Sequence, residues 1–276
     1  MSDVQQITND YREQLDQWQK QQDADLRRPD GWLTLVGLGW LHEGDNTLGS
    51  APDNETVLPA NAPAHVGIIH LNNGQASFTA TATEPITVDG VPTQHADLRN
   101  DHDPKGPSLI QVGAVTVHVI KRETEYALRI RDSQSETRLQ FQGRQWFPID
   151  EKYHLQGKFN EHPTARQIEV ENSIGKRAIM SNPGYVDFII DGTPVQLQAF
   201  SASENDIWFV FRDATSGKST YGAGRFVYAT LNEDKTVDID FNRAYHPPCA
   251  FTHFATCPFP PKENILSIEI PVGEKN

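Results

Sequence analysis

Chemistry-bearing residues concentrate in one stretch near the C-terminus. His246, Cys249, His253 and Cys257 place four nitrogen and sulfur donors in a single Pro-rich segment, the donor types that tetrahedral zinc takes. Their spacing, H-x2-C-x3-H-x3-C, is not that of a standard finger, and the sequence is read without a metal or a cofactor. The same residues offer a nucleophilic Cys249 beside His246 or His253, a Cys249–Cys257 disulfide, which a reducing compartment disfavours, or two inert buried thiols.

Around these lie Arg225, Asp240, Asn242, Arg243, Tyr245, Glu263 and Asn264. Charged groups in an otherwise apolar loop are costly unless paired, so they belong either to an ion-pair network or to a site. In the network reading, Arg225 pairs with Asp240 across adjacent strands, and Asn242 and Asn264 tie down the loop backbone. In the site reading, Arg225, Asp240, Tyr245 and Glu263 converge on a cavity where Arg225 or Arg243 holds a carboxylate or similar anion.

One motif is rejected. Gly217-Lys218-Ser219-Thr220 ends like a phosphate-binding loop, but Arg212 stands where the first glycine is needed. A turn and a strand, not a helix, are expected after it, so no amide groups are aimed at a phosphate. Ser216 has no nucleophile-elbow context either.

The elements that must position these residues are mostly strands. Ile7, Tyr11, Leu15 and Trp18 recur at helical spacing, predicting an N-terminal amphipathic helix that ends before Pro29 and packs its stripe on a β core. Beyond Trp32 the helical period disappears. Val115, Val117 and Val119 alternate with polar residues as in a half-buried strand. Asn73-Gly74 and Asp191-Gly192 predict hairpin turns between Ile68–Leu71 and Ala76–Thr79, and between Val186–Ile190 and Val195–Phe200, because these dipeptides tolerate positive φ. Further strands are expected at Ile207–Phe211, Arg225–Leu231, Thr236–Phe241 and Ile265–Ile270. The polar segment Gln134–Trp146 is the expected junction between two β blocks.

Asn46-Thr47-Leu48-Gly49-Ser50 and Asp53-Asn54-Glu55-Thr56-Val57-Leu58-Pro59 resemble the opening of a forkhead-associated domain. Ala62-x-x-His65 and Asp89-Gly90 stand at the places of that family's Ser-x-x-His loop and Asn-Gly turn. The resemblance runs from about Leu35 to Asp132 and implies a β-sandwich. The family's phosphate-binding Arg and Ser are here Ser50 and Ala62, which removes the charge and the donor an anion site needs. His65 is kept, at a position whose role in that family is mainly structural. The block is therefore read as a degenerate scaffold, with a phosphopeptide not expected as partner.

Asp240-Phe241-Asn242-Arg243-Ala244-Tyr245-His246-Pro247-Pro248-Cys249-Ala250-Phe251, Ala255-Thr256-Cys257-Pro258 and Glu263-Asn264, with Thr215-Ser216-Gly217, Thr220-Tyr221 and Gly224-Arg225-Phe226, resemble domain-of-unknown-function family 1684 of bacterial and archaeal proteins. The resemblance runs from about Trp32 to Lys275. It implies no activity. In that family the positions of His246 and His253 are commonly Asn and Pro, so a four-ligand metal site would be peculiar to this chain.

The expected architecture is mainly β: a helix over residues 1–30, a forkhead-associated-like sandwich over 31–133, and a second antiparallel sheet or barrel over 134–276 carrying the signature loop 240–264. Over 276 residues the formal net charge is −13, a field that repels nucleic-acid backbones and anionic membranes. The polar, Gln-rich start lacks a signal-peptide core, two cysteines are too few for a disulfide framework, and a cytoplasmic protein is expected. Two functions remain: binding or transforming a small anionic metabolite in a pocket of the second block, or a non-catalytic scaffold that uses β surfaces for a protein partner.

Overall fold

The computed structural model describes residues 2–201 and 206–276, with side chains for 9–200 and 206–276. Its elements run α1 (Ser2–Arg27), β1 (Leu35–Trp40), β2 (Gly44–Gly49), β3 (Thr56–Val57), β4 (Gly67–Asn72), β5 (Gln75–Ala80), β6 (Thr87–Val88), β7 (Val91–Pro92), β8 (His95–Leu98), β9 (Ile110–Val112), β10 (Val115–Arg122), β11 (Glu125–Asp132) and α2 (Glu136–Leu139). They continue with β12 (Gln145–Trp146), β13 (His154–Glu171), β14 (Arg177–Ile190), β15 (Thr193–Ser201), β16 (Asp206–Phe211), β17 (Arg225–Leu231), β18 (Thr236–Asp240) and β19 (Glu274–Lys275). Two compact units emerge: Leu26–Phe141, and Gln142–Asn276 together with the N-terminal helix as far as Asp25. The fold is mainly β, as expected.

The first unit is a sandwich. A six-stranded sheet, β1-β11-β10-β9-β6-β7, faces a five-stranded sheet, β3-β2-β4-β5-β8. Leu48, Ile69 and Phe78 from one sheet and Val117, Leu128 and Ile130 from the other share one buried core. The alternation of Val115, Val117 and Val119 is what buries them, since successive side chains leave opposite faces of a strand. Asn73 and Gly74 both have positive φ (49° and 79°) at the β4–β5 turn, the backbone twist a two-residue hairpin requires.

The second unit is a closed antiparallel barrel, β13-β14-β15-β16-β17-β18. Its interior is filled by side chains, with Phe188, Phe209, Phe211 and Phe241 meeting edge to face, as a small barrel allows. Asp191 and Gly192 (φ 47° and 76°) turn β14 into β15. The β13–β14 hairpin is longer than the barrel needs, and its register shifts between Glu161 and Arg166, a bulge that re-aims the strand. Residues 212–224 connect antiparallel β16 and β17, so no helix follows Gly217-Lys218-Ser219-Thr220, consistent with rejecting a phosphate loop.

One expected strand needs correction. Ile265–Ile270 is not a strand. Its amides and carbonyls are taken up irregularly by the 212–214 loop, through Leu266 N–H to the Arg212 carbonyl, Ala214 N–H to the Ile268 carbonyl, and Ile270 N–H to the Asp213 carboxylate. Of the Asp53–Pro59 stretch only Thr56–Val57 is strand. α1 ends at Arg27, before Pro29 as expected; Leu15 on its stripe is fully buried, Tyr11 and Trp18 are half-buried, and the side chain of Ile7 lies outside the described residues. No helix is long and apolar enough to cross a membrane.

Candidate functional site

The barrel's outward faces, not its packed interior, carry the polar chemistry. Strand pairing aligns Asp206 with Thr230 and Thr230 with Asp238 across three strands, and His154 with Asp240 at the β13–β18 seam. α1 lies over this patch. Between them is a cleft of about 380 Å³, walled by Tyr11, Gln14, Trp18 and Gln22 from the helix and by His154, Asp206, Tyr228, Thr230, Asp238, Asp240, Arg243 and Tyr245 from the barrel and the turn after it.

The cleft floor is held rigid by Asp240. Its Oδ2 accepts from the Tyr11 hydroxyl (3.0 Å) and lies 3.5 Å from Arg243 Nε; its Oδ1 accepts from the backbone and side-chain amides of Asn242 (3.0 Å each). Asn242 also bonds to the Tyr11 oxygen and to the Asp150 backbone. Both carboxylate oxygens are thus engaged, which suits Asp240 for positioning. Burial, and then the Asp240 charge, raise the Tyr11 hydroxyl far above the usual tyrosine range. Burial, and then the neighbouring Tyr228, do the same for Tyr245. Both phenols are neutral donors at physiological pH.

The walls are aromatic. Tyr11 stacks on His154 (5.4 Å, 12°), Trp18 meets Trp146 edge-on (5.5 Å), and Tyr228 stacks on Trp208 (6.2 Å, 19°) while remaining exposed. The Arg243 guanidinium sits 5.8 Å from the Trp18 ring centre. Asp238 is bonded by the neutral amides of Asn232 (3.0 Å) and Gln156 (3.5 Å). The lining therefore carries Asp206, Asp238 and Asp240 against Arg243, a formal excess of two negative charges.

The residues singled out from the sequence do not form one site. Asp240, Arg243 and Tyr245 line the cleft, with Asn242 directly beneath. Arg225 does not: it is fully buried and donates to the carbonyls of Val272 and Ile270 (2.8 Å to the latter), with Asp213 at 3.3 Å. The expected Arg225–Asp240 pair is thus replaced by Arg225–Asp213. The reason is strand parity: Arg225, paired with buried Phe211, shares the inward face of Val227 and Ala229, whereas Asp240 shares the outward face of Asp238, since successive side chains leave opposite faces of a strand. Glu263 is exposed and away from the cleft. Asn264 is fully buried, clasping the Gln198 backbone from both sides (2.7 and 3.0 Å) and the Val210 carbonyl (2.9 Å). Asn264 and Asn242 thus hold backbone outside the 240–264 loop, at Gln198 and Val210 and at Asp150, where the sequence suggested the loop's own backbone.

His246 is spent on structure. Its Nε2 accepts from the Tyr221 amide (3.2 Å), so the ring proton sits on Nδ1 and faces Glu274 Oε1 at 3.3 Å. Glu274 in turn pairs with buried Arg144 and accepts from the His246 amide (2.6 Å). Burial, then the charges of Arg225 and Arg144, hold the imidazole neutral, down to about 3; burial pushes the Glu274 carboxyl up despite Arg144. With both nitrogens engaged, His246 cannot serve as a metal ligand or as a base for Cys249. His253 is exposed, and among the described residues no three His, Cys, Asp or Glu side chains are placed to hold a metal ion. Cys249 and Cys257 are buried, unbridged and outside the cleft.

Sequence reasoning missed Tyr228, Asp238, Asp206 and His154, and took Tyr11 and Trp18 as packing alone. The available signal was the outward parity of β17 and β18: Tyr228 and Thr230, and Asp238 and Asp240, are the alternate positions to buried Val227, Ala229, Val237 and Ile239. In the sandwich unit, Ser50 Oγ donates to the Ala62 carbonyl (2.8 Å), so the place of a phosphate-binding arginine is taken by an internal bond.

Residues 139–275 match the family described as a protein of unknown function (DUF1684). Among solved structures, the chain is similar to the solution NMR structure of an uncharacterized protein from gene locus rrnAC0354 of Haloarcula marismortui, at 29% identity, 50% of this chain, 79% of that one and a TM-score of 0.42. It is also similar to an FHA domain solved in a structural and functional analysis of phosphothreonine-dependent FHA domain interactions, at 19% identity, 34% of this chain, 92% of that one and a TM-score of 0.25. No curated protein matches the chain.

Proposed function

We propose that the cleft between α1 and the barrel binds a small amine-bearing cation; residues 139–275 match the DUF1684 family, whose description assigns no activity, so the reading rests on the site itself. The observation that carries this reading is the lining: Tyr11, Trp18, Tyr228 and Tyr245 line the same cleft as Asp206 and Asp238, while the one arginine of the lining is engaged by Asp240. An anion, the ligand class suggested by Arg225 and Arg243 in the sequence, would enter a field of the wrong sign, since Arg225 points elsewhere. A cation gains from the carboxylates and from the ring faces together. The volume suits a ligand of roughly a dozen or two heavy atoms. Engagement of both Asp240 oxygens supports recognition ahead of proton transfer.

The test is a titration with choline, putrescine and succinate at low salt, followed by the indole NMR signal of Trp18 and by calorimetry. Saturable binding of an amine with shifts at Trp18 is the expected result. Asp238→Asn, at an exposed position, is expected to weaken it roughly two- to fivefold, the worth of a partly exposed charge pair. Binding of succinate in preference to both amines, or unchanged amine affinity in Asp238→Asn, would refute the assignment.

A further inference from the structure

The two cysteines fall outside the cleft and are brought together by tertiary contacts. Pro247 and Pro248 start a tight turn in which the Phe251 and Thr252 amides both bond to the Pro248 carbonyl (3.0 and 3.1 Å), setting Cys249 inward. The chain returns to Cys257 through a clasp on the tip of the β13–β14 hairpin. There the Ser173 amide donates to the Cys257 carbonyl (2.8 Å), the Cys257 amide to Ser173 Oγ (3.0 Å), and Ser173 Oγ to the Ala255 carbonyl (2.5 Å). Tyr221 closes the third side, its hydroxyl on the Cys249 carbonyl (3.0 Å). Held in this way, the two thiols are hydrogen-bonded to each other.

We propose that Cys249 and Cys257 are a redox-active dithiol, which a hydroperoxide converts to an intramolecular disulfide. The Cys249 thiolate attacks the peroxide oxygen and breaks the O–O bond, giving a sulfenic acid and releasing hydroxide, or alkoxide from an organic hydroperoxide. The Cys257 thiol then loses its proton and attacks the Cys249 sulfur, forming the S–S bond and expelling hydroxide, which takes up that proton as water. Two thiols and one hydrogen peroxide become one disulfide and two waters, with sulfur losing the two electrons that the peroxide gains.

The electrostatics agree with this assignment of roles. The hydrogen bond from Cys257 is the leading cause that pulls the Cys249 thiol down to about 7, against its burial. At pH 7 such a thiol is about half ionised, whereas a free thiol at about 8.5 is about 3% ionised. A less basic thiolate is also a weaker nucleophile, so the net gain in rate at pH 7 is roughly threefold. Neighbouring Tyr221 is pushed by burial up to about 12 and stays a neutral donor.

The experiment uses the full-length reduced protein with stoichiometric hydrogen peroxide, followed by intact mass, peptide mapping and gel filtration. The expected product is a monomer lighter by two hydrogens, with Cys249 and Cys257 in one cross-linked peptide, formed roughly threefold faster in the folded protein than in urea at pH 7. Cys257→Ser is expected to stop at a dimedone-reactive sulfenic acid on Cys249, and Cys249→Ser to leave Cys257 unmodified. The mapping on the unmutated chain stands even if a variant fails to fold. A disulfide between two chains, separate over-oxidation of the two thiols, no mass change, or a folded-state rate no higher than in urea would each overturn the proposal.

Discussion

Arg225 is the residue whose removal most sharply separates structure from function. Arg225→Met removes a fully buried guanidinium that serves Val272, Ile270 and Asp213. The Asp213 carboxylate, also fully buried, keeps its bonds to the Thr215 hydroxyl (2.8 and 2.9 Å) and the Ile270 amide (2.7 Å), but it loses its only cation among the described residues. Breaking a buried pair from one side costs about 3–5 kcal/mol, because the remaining charge stays desolvated. For a unit of this size each kcal/mol is worth about 3 °C, so the melting transition of the barrel is expected to fall by about 12 °C. Scanning calorimetry gives the shift, and hydrogen exchange at β16 and β17 assigns it to the barrel. The double variant Arg225→Met/Asp213→Asn is expected to be less destabilised than the two single changes added together, by about 2 kcal/mol, because the charge that each single change leaves unbalanced is absent. At temperatures where Arg225→Met is folded, amine binding in the cleft should be unchanged. An Arg225→Met protein melting within about 2 °C of its parent, or additive single and double variants, would refute the buried-pair argument.

Two further predictions concern the same unit. His246 has its folded pKa depressed, so its contribution to stability is complete above about 6.5 and is lost as pH falls toward about 3. Between pH 7 and pH 5 that loss is about 2 kcal/mol; the Glu274 carboxyl, raised by its burial, works in the opposite direction, so the test is the difference in the pH slope of urea unfolding between the parent and His246→Gln, and equal slopes would assign the acid sensitivity elsewhere. Asn264→Ala orphans the buried Val210 carbonyl and the part-buried Gln198 amide and carbonyl, costing about 2–3 kcal/mol, measured as a lower urea midpoint with unchanged m-value.

Local chemistry explains what the sequence showed well. Asn73-Gly74 and Asp191-Gly192 were legible as turns because positive φ is a property of single residues. The strands of the sandwich and barrel were legible because a period of two needs only neighbours. Ser50 and Ala62 spoke against a phosphate site by residue type alone. Ile265–Ile270 misled for the converse reason: its alternation is real, with Ile270 buried and Glu269 exposed, but a strand needs a partner, and the neighbouring 212–214 loop offers only irregular bonding.

Element types, turns, overall charge and the concentration of polar groups after β18 follow from residue identity and short-range spacing. Which of those groups meet follows from long-range strand pairing. Tyr11 and Asp240 are 229 positions apart and bond only because α1 lies on the β13–β18 seam. Arg225 turned to Asp213 instead of Asp240, His246 gave both nitrogens to Tyr221 and Glu274, and the two thiols met under Ser173. Barrel closure sets these partners through strand register over long separations. A one-residue slip in that register would send every outward side chain inward, so the site is a property of the closed barrel and not of any segment read alone.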